Sequence, residues 1–261
     1  MIYEKHASEI YYITKKAGEI IMSFYSGKIE VMLKGDESPV TAADLAANAY
    51  IVRQLKELTP DIPIVSEEND HQENERAGKH EKFWLVDPLD GTKSYIKRTG
   101  EFTVNVALIE NNEPVGGAIY VPAKQVGYFT AEDKRAYKQE GSNLPIEIRV
   151  RPQPEDGLVV VASQSHRTTE TDDYINSLPK VKELLSASSS IKLCLVAEGK
   201  ADIYPRFGRT MEWDIGAGHA ILKAAGGVVE NVDGSKFTYS KKNFANPYFI
   251  AKGNLLKFGK K

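Results

Sequence analysis

Cysteine is almost absent. Cys194 is the only one among 261 residues, so no disulfide can form within the chain. That excludes a disulfide-stapled secreted scaffold and suits a reducing compartment. Cys194 lies in the apolar run Leu193-Cys194-Leu195-Val196, which reads as core rather than as a reactive thiol. An excess of one charge is missing too. Lys and Arg number 34 against 36 Asp and Glu, a net charge of −2, so bulk attraction to nucleic acid or to an anionic membrane is excluded as the basis of function. An anionic ligand must be captured locally, by metal ions, helix N-termini or a few placed cations. No stretch approaches the roughly 18 apolar residues that span a bilayer, so no transmembrane segment is expected. The opening Met1-Ile2-Tyr3-Glu4-Lys5-His6 lacks the basic-then-apolar order of a secretory signal. A cytoplasmic setting follows, with peripheral association at the inner membrane as its one variation. The weakly basic tail Lys257-Phe258-Gly259-Lys260-Lys261 reads as a solvated end. Repeats and low-complexity tracts are also lacking.

What is present is the mixture of an ordinary globular chain, 41% hydrophobic and 27% charged. Its length allows one large domain or two smaller units sharing a face. Ile10, Ile13, Ala17, Ile20, Ile21 and Phe24 recur at helical spacing, which predicts a helix over 7–26. A second helix opens at Thr41, with Asp44 in capping-box position. Ile62–Val65 reads as a strand, and the charged stretch from Glu67 to Lys82 as a mobile segment. Phe83–Val86 is strand-like and runs into Asp87. Three further runs, 103–109, 115–121 and 126–130, read as an antiparallel meander. Pro152 and Pro154 mark a boundary, dividing the chain into halves 1–150 and 151–261. The second half predicts strands at 158–162 and 228–230 and helices at 168–178, 190–198 and 213–225. Helices and strands in mixed alternation give an α+β class built in layers.

The chemistry-bearing residues concentrate in three places. Glu67 and Glu68 end one predicted strand, Asp87 and Asp90 end the next, and Asp214 opens a helix far down the chain. Magnesium takes hard oxygen ligands, usually a few carboxylates completed by water and substrate phosphate. Asp87-Pro88-Leu89-Asp90-Gly91-Thr92 offers several such oxygens together. Pro88 stiffens the bend between the two aspartates, and the Leu89 carbonyl can point the same way. Gly91 allows close backbone approach to a ligand. Asp-Pro and Asp-Gly are also common turn formers, so the hexapeptide alone also admits a plain turn. Asp44 alone reads as a capping acid, and Asp214 alone as a helix-terminus charge. The co-occurrence of all of them favours a metal centre.

Ser66-Glu67-Glu68, Trp84 through Lys93 and Trp213-Asp214 together resemble, in order and spacing, the inositol monophosphatase-like superfamily of lithium-sensitive, magnesium-dependent phosphatases. Ser66 departs from the glycine that many relatives carry there. Within the superfamily, five segments are most similar to the 3′(2′),5′-bisphosphate nucleotidases of the bacterial sulfate-assimilation type: Gly100–Asn105, Ser163-Gln164-Ser165-His166, Ser188–Gly199, Tyr204-Pro205-Arg206 and Met211-Glu212-Trp213-Asp214. The resemblance implies an αβαβα layered sandwich of the inositol monophosphatase and fructose-1,6-bisphosphatase type. It implies two or three Mg²⁺ ions, with Glu67, Asp87, Asp90 and Asp214 ligating by side chain and Leu89 by its carbonyl. Asp44 and Thr92 resemble the pair that orients or deprotonates the attacking water, with Glu67 beside them. The amides of Gly91 and Thr92 would hold the scissile phosphate.

Ser189 and Ser190, at the start of a short helix, and Lys192 close by are candidates for a second phosphate, as are Ser165, His166 and Arg167. Asp214 is placed with them at the substrate, and Arg206 and Arg209 flank it as weaker candidates. The expected ligand is a nucleoside bisphosphate, adenosine 3′,5′-bisphosphate, which would lose its 3′-phosphate. An inositol or sugar monophosphatase on the same fold is the alternative, and a non-catalytic regulatory binding protein a more distant one. The assembly expected is a monomer or a homodimer. Phosphate monoester hydrolysis needs up to ~10²¹-fold acceleration. A general base supplies only about 10²–10⁴. Clustered metals and phosphate-directed amides can carry the larger share, which favours the metal chemistry.

Overall fold

A computed structural model describes residues 2–27, 29–33, 35, 39–163 and 167–253. In chain order the N-terminal elements are α1 (Ile2–Lys5), α2 (Ala7–Tyr25), β1 (Val31–Leu33), β2 (Pro39–Thr41), α3 (Ala42–Leu58), β3 (Ile64–Ser66), α4 (His71–Ala77), β4 (Lys82–Asp90) and α5 (Thr92–Ile96). There follow β5 (Thr103–Glu110), β6 (Glu113–Val121), β7 (Val126–Thr130), β8 (Ala136–Glu140) and β9 (Ile146–Ile148). The remainder is β10 (Leu158–Ser163), α6 (Thr169–Ser177), β11 (Val181–Ala187), α7 (Ile191–Ala197), β12 (Ile203–Arg206), α8 (Glu212–Ala224), β13 (Gly227–Asn231) and β14 (Phe249–Gly253).

Strands β3 to β9 form a seven-stranded sheet in sequence order, antiparallel except where β3 pairs parallel with β4. The second sheet has five strands in the order β11-β10-β12-β14-β13. Side chains alternate across a strand, so each strand feeds two layers. Trp84, Val86, Val104, Val106 and Leu108 turn to one face of the large sheet and meet Ile10, Ile21, Ile51 and Leu55 of α2 and α3. Phe83, Leu85, Ala107 and Ile109 turn to the other face and meet α7 and α8, whose far sides cover Val159 and Val161 of β10. Leu158, Val160 and Ala162 point outward from the small sheet onto Ile175 of α6. The layers therefore run α2/α3, large sheet, α7/α8, small sheet, α6. That is the expected αβαβα sandwich.

Helix α8 is buried nearly all round because a sheet lies on each side of it. Its approach is close. A Cβ on Gly117 of β6 would stand 2.7 Å from the Cα of Ala217. Alanine there would force the helix off the sheet, an overpacking cost of about 1–3 kcal/mol.

The charged segment after Glu67, read as mobile from the sequence, is in part helical. Residues 71–77 form α4, capped by Asp70, whose Oδ1 accepts the Gln72 and Glu73 amides at 2.8 and 3.3 Å. Asn74 and Ala77 are buried, so the helix is seated on the protein. Strands β8, β9, β11, β12 and β14 were not visible as periodic runs. β11 is exposed along most of its length, and β12 carries Pro205, which weakens any strand signal.

Candidate metal centre and its cleft

Strand β4 ends in an irregularity that makes the site. Asp87 pairs with Asn105 and Asp90 with Thr103, so three steps on β4 match two on β5. Pro88 has no N–H to give the ladder, and the extra residue bulges out. Asp87 braces the bulge by accepting the Leu89 amide at 3.0 Å. Gly91 then adopts φ +93°, and α5 starts from there. A Cβ at Gly91 would lie 3.1 Å from the Glu101 carbonyl, so glycine answers both the dihedral and the space.

Glu67 follows β3, its amide bonded to the Val86 carbonyl at 3.1 Å, and so stands beside Asp87. Its backbone is held from the far side. Asn74 Oδ1 accepts the Ser66 amide at 3.0 Å, and Asn74 Nδ2 donates to the Ser66 carbonyl at 2.7 Å. Asn69 Nδ2 reaches the Ile64 carbonyl at 3.5 Å. Ser66 Oγ donates to Asn48 Oδ1 at 2.7 Å, which ties the strand end to α3, one turn from Asp44. Asp214 comes from the first turn of α8, where its Oδ2 accepts the Met211 amide at 2.9 Å. Below it Glu212, fully buried, accepts the amides of Ser240 and Lys241 and the Lys241 ammonium at 2.9 Å, fastening the start of α8.

These elements bring carboxylate oxygens of Glu67, Asp87 and Asp214 within 4.8 Å of one another. Asp90 lies alongside, its Oδ2 accepting the Ser190 amide at 2.7 Å. Burial holds the Asp214 carboxyl well above the usual carboxylate range, and the charges of Asp90 and Glu67 push the same way. Asp90 is raised chiefly by burial, against the opposing pull of Lys192. Converging hard oxygens that repel one another are the donor set a divalent cation fits.

Asp44 caps α3 and also faces Thr92. Its Oδ2 accepts the Thr41 amide at 2.8 Å and the Thr41 hydroxyl at 2.6 Å, closing the cap of α3. Its Oδ1 faces Thr92 Oγ1 at 3.3 Å, and that hydroxyl also lies 3.3 Å from the Leu89 carbonyl.

The cleft has a volume of about 1080 Å³, and Glu67, Asp87, Asp90, Gly91, Thr92 and Asp214 line it. Beside the carboxylates the lining is cationic. Lys192 is 4% exposed, with Nζ donating to the Ser189 carbonyl at 2.6 Å and lying 5.3 Å over the Tyr204 ring. Burial lowers its pKa to about 8, although Asp90 opposes the shift. Arg206 is buried beside it. Its Nη2 donates to the Arg209 carbonyl at 2.8 Å, and its Nε has no protein partner among the described residues. Ser189 sits at φ +50°, and its buried Oγ likewise lacks one.

Not every sequence candidate converges here. Ser165 and His166 lie outside the described residues. Arg167 lines the cleft but spends its Nε on Asp172. Ser190, read from the sequence as a substrate contact, turns both its amide and its hydroxyl on Asp90, because α7 starts against the end of β4. Thr103 and Asn105 stand in the resembling segment Gly100–Asn105, but the sequence reading assigns them no role. Two polar residues at i and i+2 of an otherwise apolar strand share a face, and that pattern was the available signal.

The statistical model of the inositol monophosphatase family matches residues 4–255. The chain is 47% identical over 241 residues to the 3′(2′),5′-bisphosphate nucleotidase CysQ of Salmonella typhimurium, spanning 91% of this chain and 95% of that protein. It is 40% identical over 257 residues to the same nucleotidase of Buchnera aphidicola, spanning 96% and 94%. The crystal structure of CysQ from Bacteroides thetaiotaomicron, described as a bacterial member of the inositol monophosphatase family, superposes with a TM-score of 0.83 at 41% identity, covering 96% of this chain and 98% of that one.

Proposed function

Because the chain belongs to the inositol monophosphatase family, we propose that it is a magnesium-dependent 3′(2′),5′-bisphosphate nucleotidase that converts adenosine 3′,5′-bisphosphate to AMP and phosphate. One observation carries the choice of substrate. The cleft has a carboxylate pole for metal and scissile phosphate, and beside it a buried cationic pole of Lys192 and Arg206. An inositol monophosphate has no second phosphate to engage that pole. A nucleoside bisphosphate has one.

Mg²⁺, when bound, supplies a Lewis acid that polarises phosphoryl oxygens and acidifies water. Glu67, Asp87, Asp90, Asp214 and the Leu89 carbonyl would hold it. The chain's own residues do the rest. Gly91 and Thr92 present backbone amides to the scissile phosphate. Thr92 Oγ1 orients a water for in-line attack, and its proton passes through that hydroxyl to Asp44 Oδ1. The new P–O bond forms as the P–O3′ bond breaks, and the leaving oxygen is protonated from solvent. Ser189, Lys192 and Arg206 hold the remaining phosphate and so fix which ester faces the carboxylates. The halves divide the work: residues 1–150 supply most ligands and the base, and 151–261 supply Asp214 and the cations. Inhibition by lithium, a cytoplasmic setting and a place in sulfur metabolism accompany this reading. Among the described residues no helix is long and apolar enough to cross a membrane.

The test is a phosphate-release panel with and without Mg²⁺. Adenosine 3′,5′-bisphosphate should be hydrolysed with the highest kcat/KM, and Lys192→Met should raise its KM. Equal or faster turnover of inositol 1-phosphate would overturn the substrate assignment.

A further inference from the structure

We infer that Ser190 is a positioning residue of the metal centre: its amide and hydroxyl fix which oxygen of Asp90 faces the cleft and fasten Asp90 to the helix turn that carries Asp214. Asp90 Oδ2 accepts the Ser190 amide at 2.7 Å and its hydroxyl at 3.0 Å, and Thr103 Oγ1 lies 3.5 Å away. A carboxylate oxygen has two lone-pair directions, so Oδ2 is saturated and Oδ1 is the atom left for a cation. The Ser190 hydroxyl also contacts the Asp214 backbone carbonyl. It therefore touches both segments that bring ligands from the two halves of the chain.

The direction of that hydroxyl is itself set. Asn105, 1% exposed, donates from Nδ2 to Ser190 Oγ at 3.0 Å. A serine hydroxyl has one hydrogen and two lone pairs. With a lone pair engaged by Asn105, its hydrogen is divided between Asp90 Oδ2 and the Asp214 carbonyl. Ser190 is 3% exposed, and its donors have no capacity left for a substrate oxygen. The mechanical need is plain. Asp90, Asp214 and Glu67 repel one another, and a carboxylate turns about its terminal bond with little resistance unless hydrogen-bonded. Partners that orient a ligand carboxylate are typically worth about 10–100-fold in metal affinity.

Asp90 as a metal ligand, on which this inference rests, is tested in the same experiment. Calorimetric titration of substrate-free protein with Mn²⁺ and with Mg²⁺ compares the wild type, Asp90→Asn, Ser190→Ala, Asn105→Ala and the Asp90→Asn/Ser190→Ala pair, with kcat and KM measured at saturating metal. Ser190→Ala should weaken metal binding about 10–100-fold while KM for the bisphosphate stays within about twofold. Asn105→Ala should move the same way by less, and it decides the matter if Ser190→Ala melts below the assay temperature. The pair should bind no more weakly than Asp90→Asn alone. Unchanged metal affinity in Ser190→Ala, or a raised KM at unchanged affinity, overturns the inference and leaves Asp90 as a ligand. Metal binding unchanged in Asp90→Asn overturns the ligand assignment itself.

Discussion

Asp44→Asn should separate catalysis from folding at a residue proposed to serve both. The carboxylate spends Oδ2 on two bonds from Thr41 and keeps Oδ1 for Thr92 at 3.3 Å. An asparagine has one oxygen and one NH₂. The Thr41 side offers donors, so the oxygen settles there and the cap of α3 persists. The NH₂ then faces Thr92, and it can give a hydrogen bond but cannot take a proton. The Thr92 hydroxyl turns to the Leu89 carbonyl, already 3.3 Å away. Losing the negative charge at the helix N-terminus costs about 0.3–1 kcal/mol, which shifts Tm by only a few degrees for a chain of this size. Losing the proton acceptor costs about 10²–10⁴ in kcat, or about 2.7–5.4 kcal/mol of barrier. The catalytic effect thus exceeds the structural one several-fold. Phosphate release at saturating Mg²⁺, a thermal melt and a metal titration measure the three quantities. A kcat within tenfold of wild type refutes the assignment of Asp44 as base. So does a fall in metal affinity large enough to account for the lost rate.

Asp214→Asn should abolish turnover in a folded protein, and in metal-free protein it should melt at or above the wild type, since it removes a buried charge that Asp90 and Glu67 oppose. A folded variant with Mg²⁺-dependent turnover contradicts this. Asp90 and Asp214 have carboxyls raised above the usual 3.8, so the folded state binds their protons more tightly than the unfolded one. Metal-free protein should therefore lose stability as the pH climbs from about 4 through those raised values, and Mg²⁺ should restore it; a metal-free urea midpoint that does not fall over this range is the contrary result. His219 acts in the opposite sense. Burial lowers it from 6.5 to about 3, so its contribution is complete above pH 6.5 and is lost as the pH falls toward 3, at up to about 1.4 kcal/mol per pH unit. His219→Gln should flatten the acid limb of the urea midpoint, by about 2 kcal/mol between pH 7 and pH 5. Lithium should inhibit in competition with Mg²⁺, and a rate indifferent to lithium at limiting Mg²⁺ counts against the metal assignment.

The layers were legible where periodicity was strong. Ile10 to Ile21 and Leu55 announced the outer helices, and the alternation through 103–130 announced the meander. The edge strands β9 and β11 were not legible, because they are mostly solvent-facing and carry no apolar repeat. The carboxylates could be gathered because each stands at a terminus of an element that was readable. What could not be read was which atoms those carboxylates spend on the protein itself. Ser190 reads as a phosphate contact in the sequence because the run Ser188-Ser189-Ser190 precedes a short helix with Lys192 nearby. Only the seating of α7 against β4 turns it toward Asp90. Arg206 was read as a weaker candidate for a related reason: the sequence gives its charge, and only the fold gives its burial beside Lys192.

The asparagines behind Glu67 have a consequence for how the protein ages. Strand β3 is the last in its sheet, and a free sheet edge is a template for another chain. Ser66 and Ile64 meet Asn74 and Asn69 there instead, side-chain amides that stand in for a neighbouring strand. Hydrolytic loss of the Asn74 amide would leave an aspartate, which offers no N–H to the Ser66 carbonyl. The residue next to that carbonyl is Glu67. One slow chemical event would thus loosen a carboxylate of the metal centre and uncover a sticky edge together. Stored protein should lose activity and gain aggregates on the same clock.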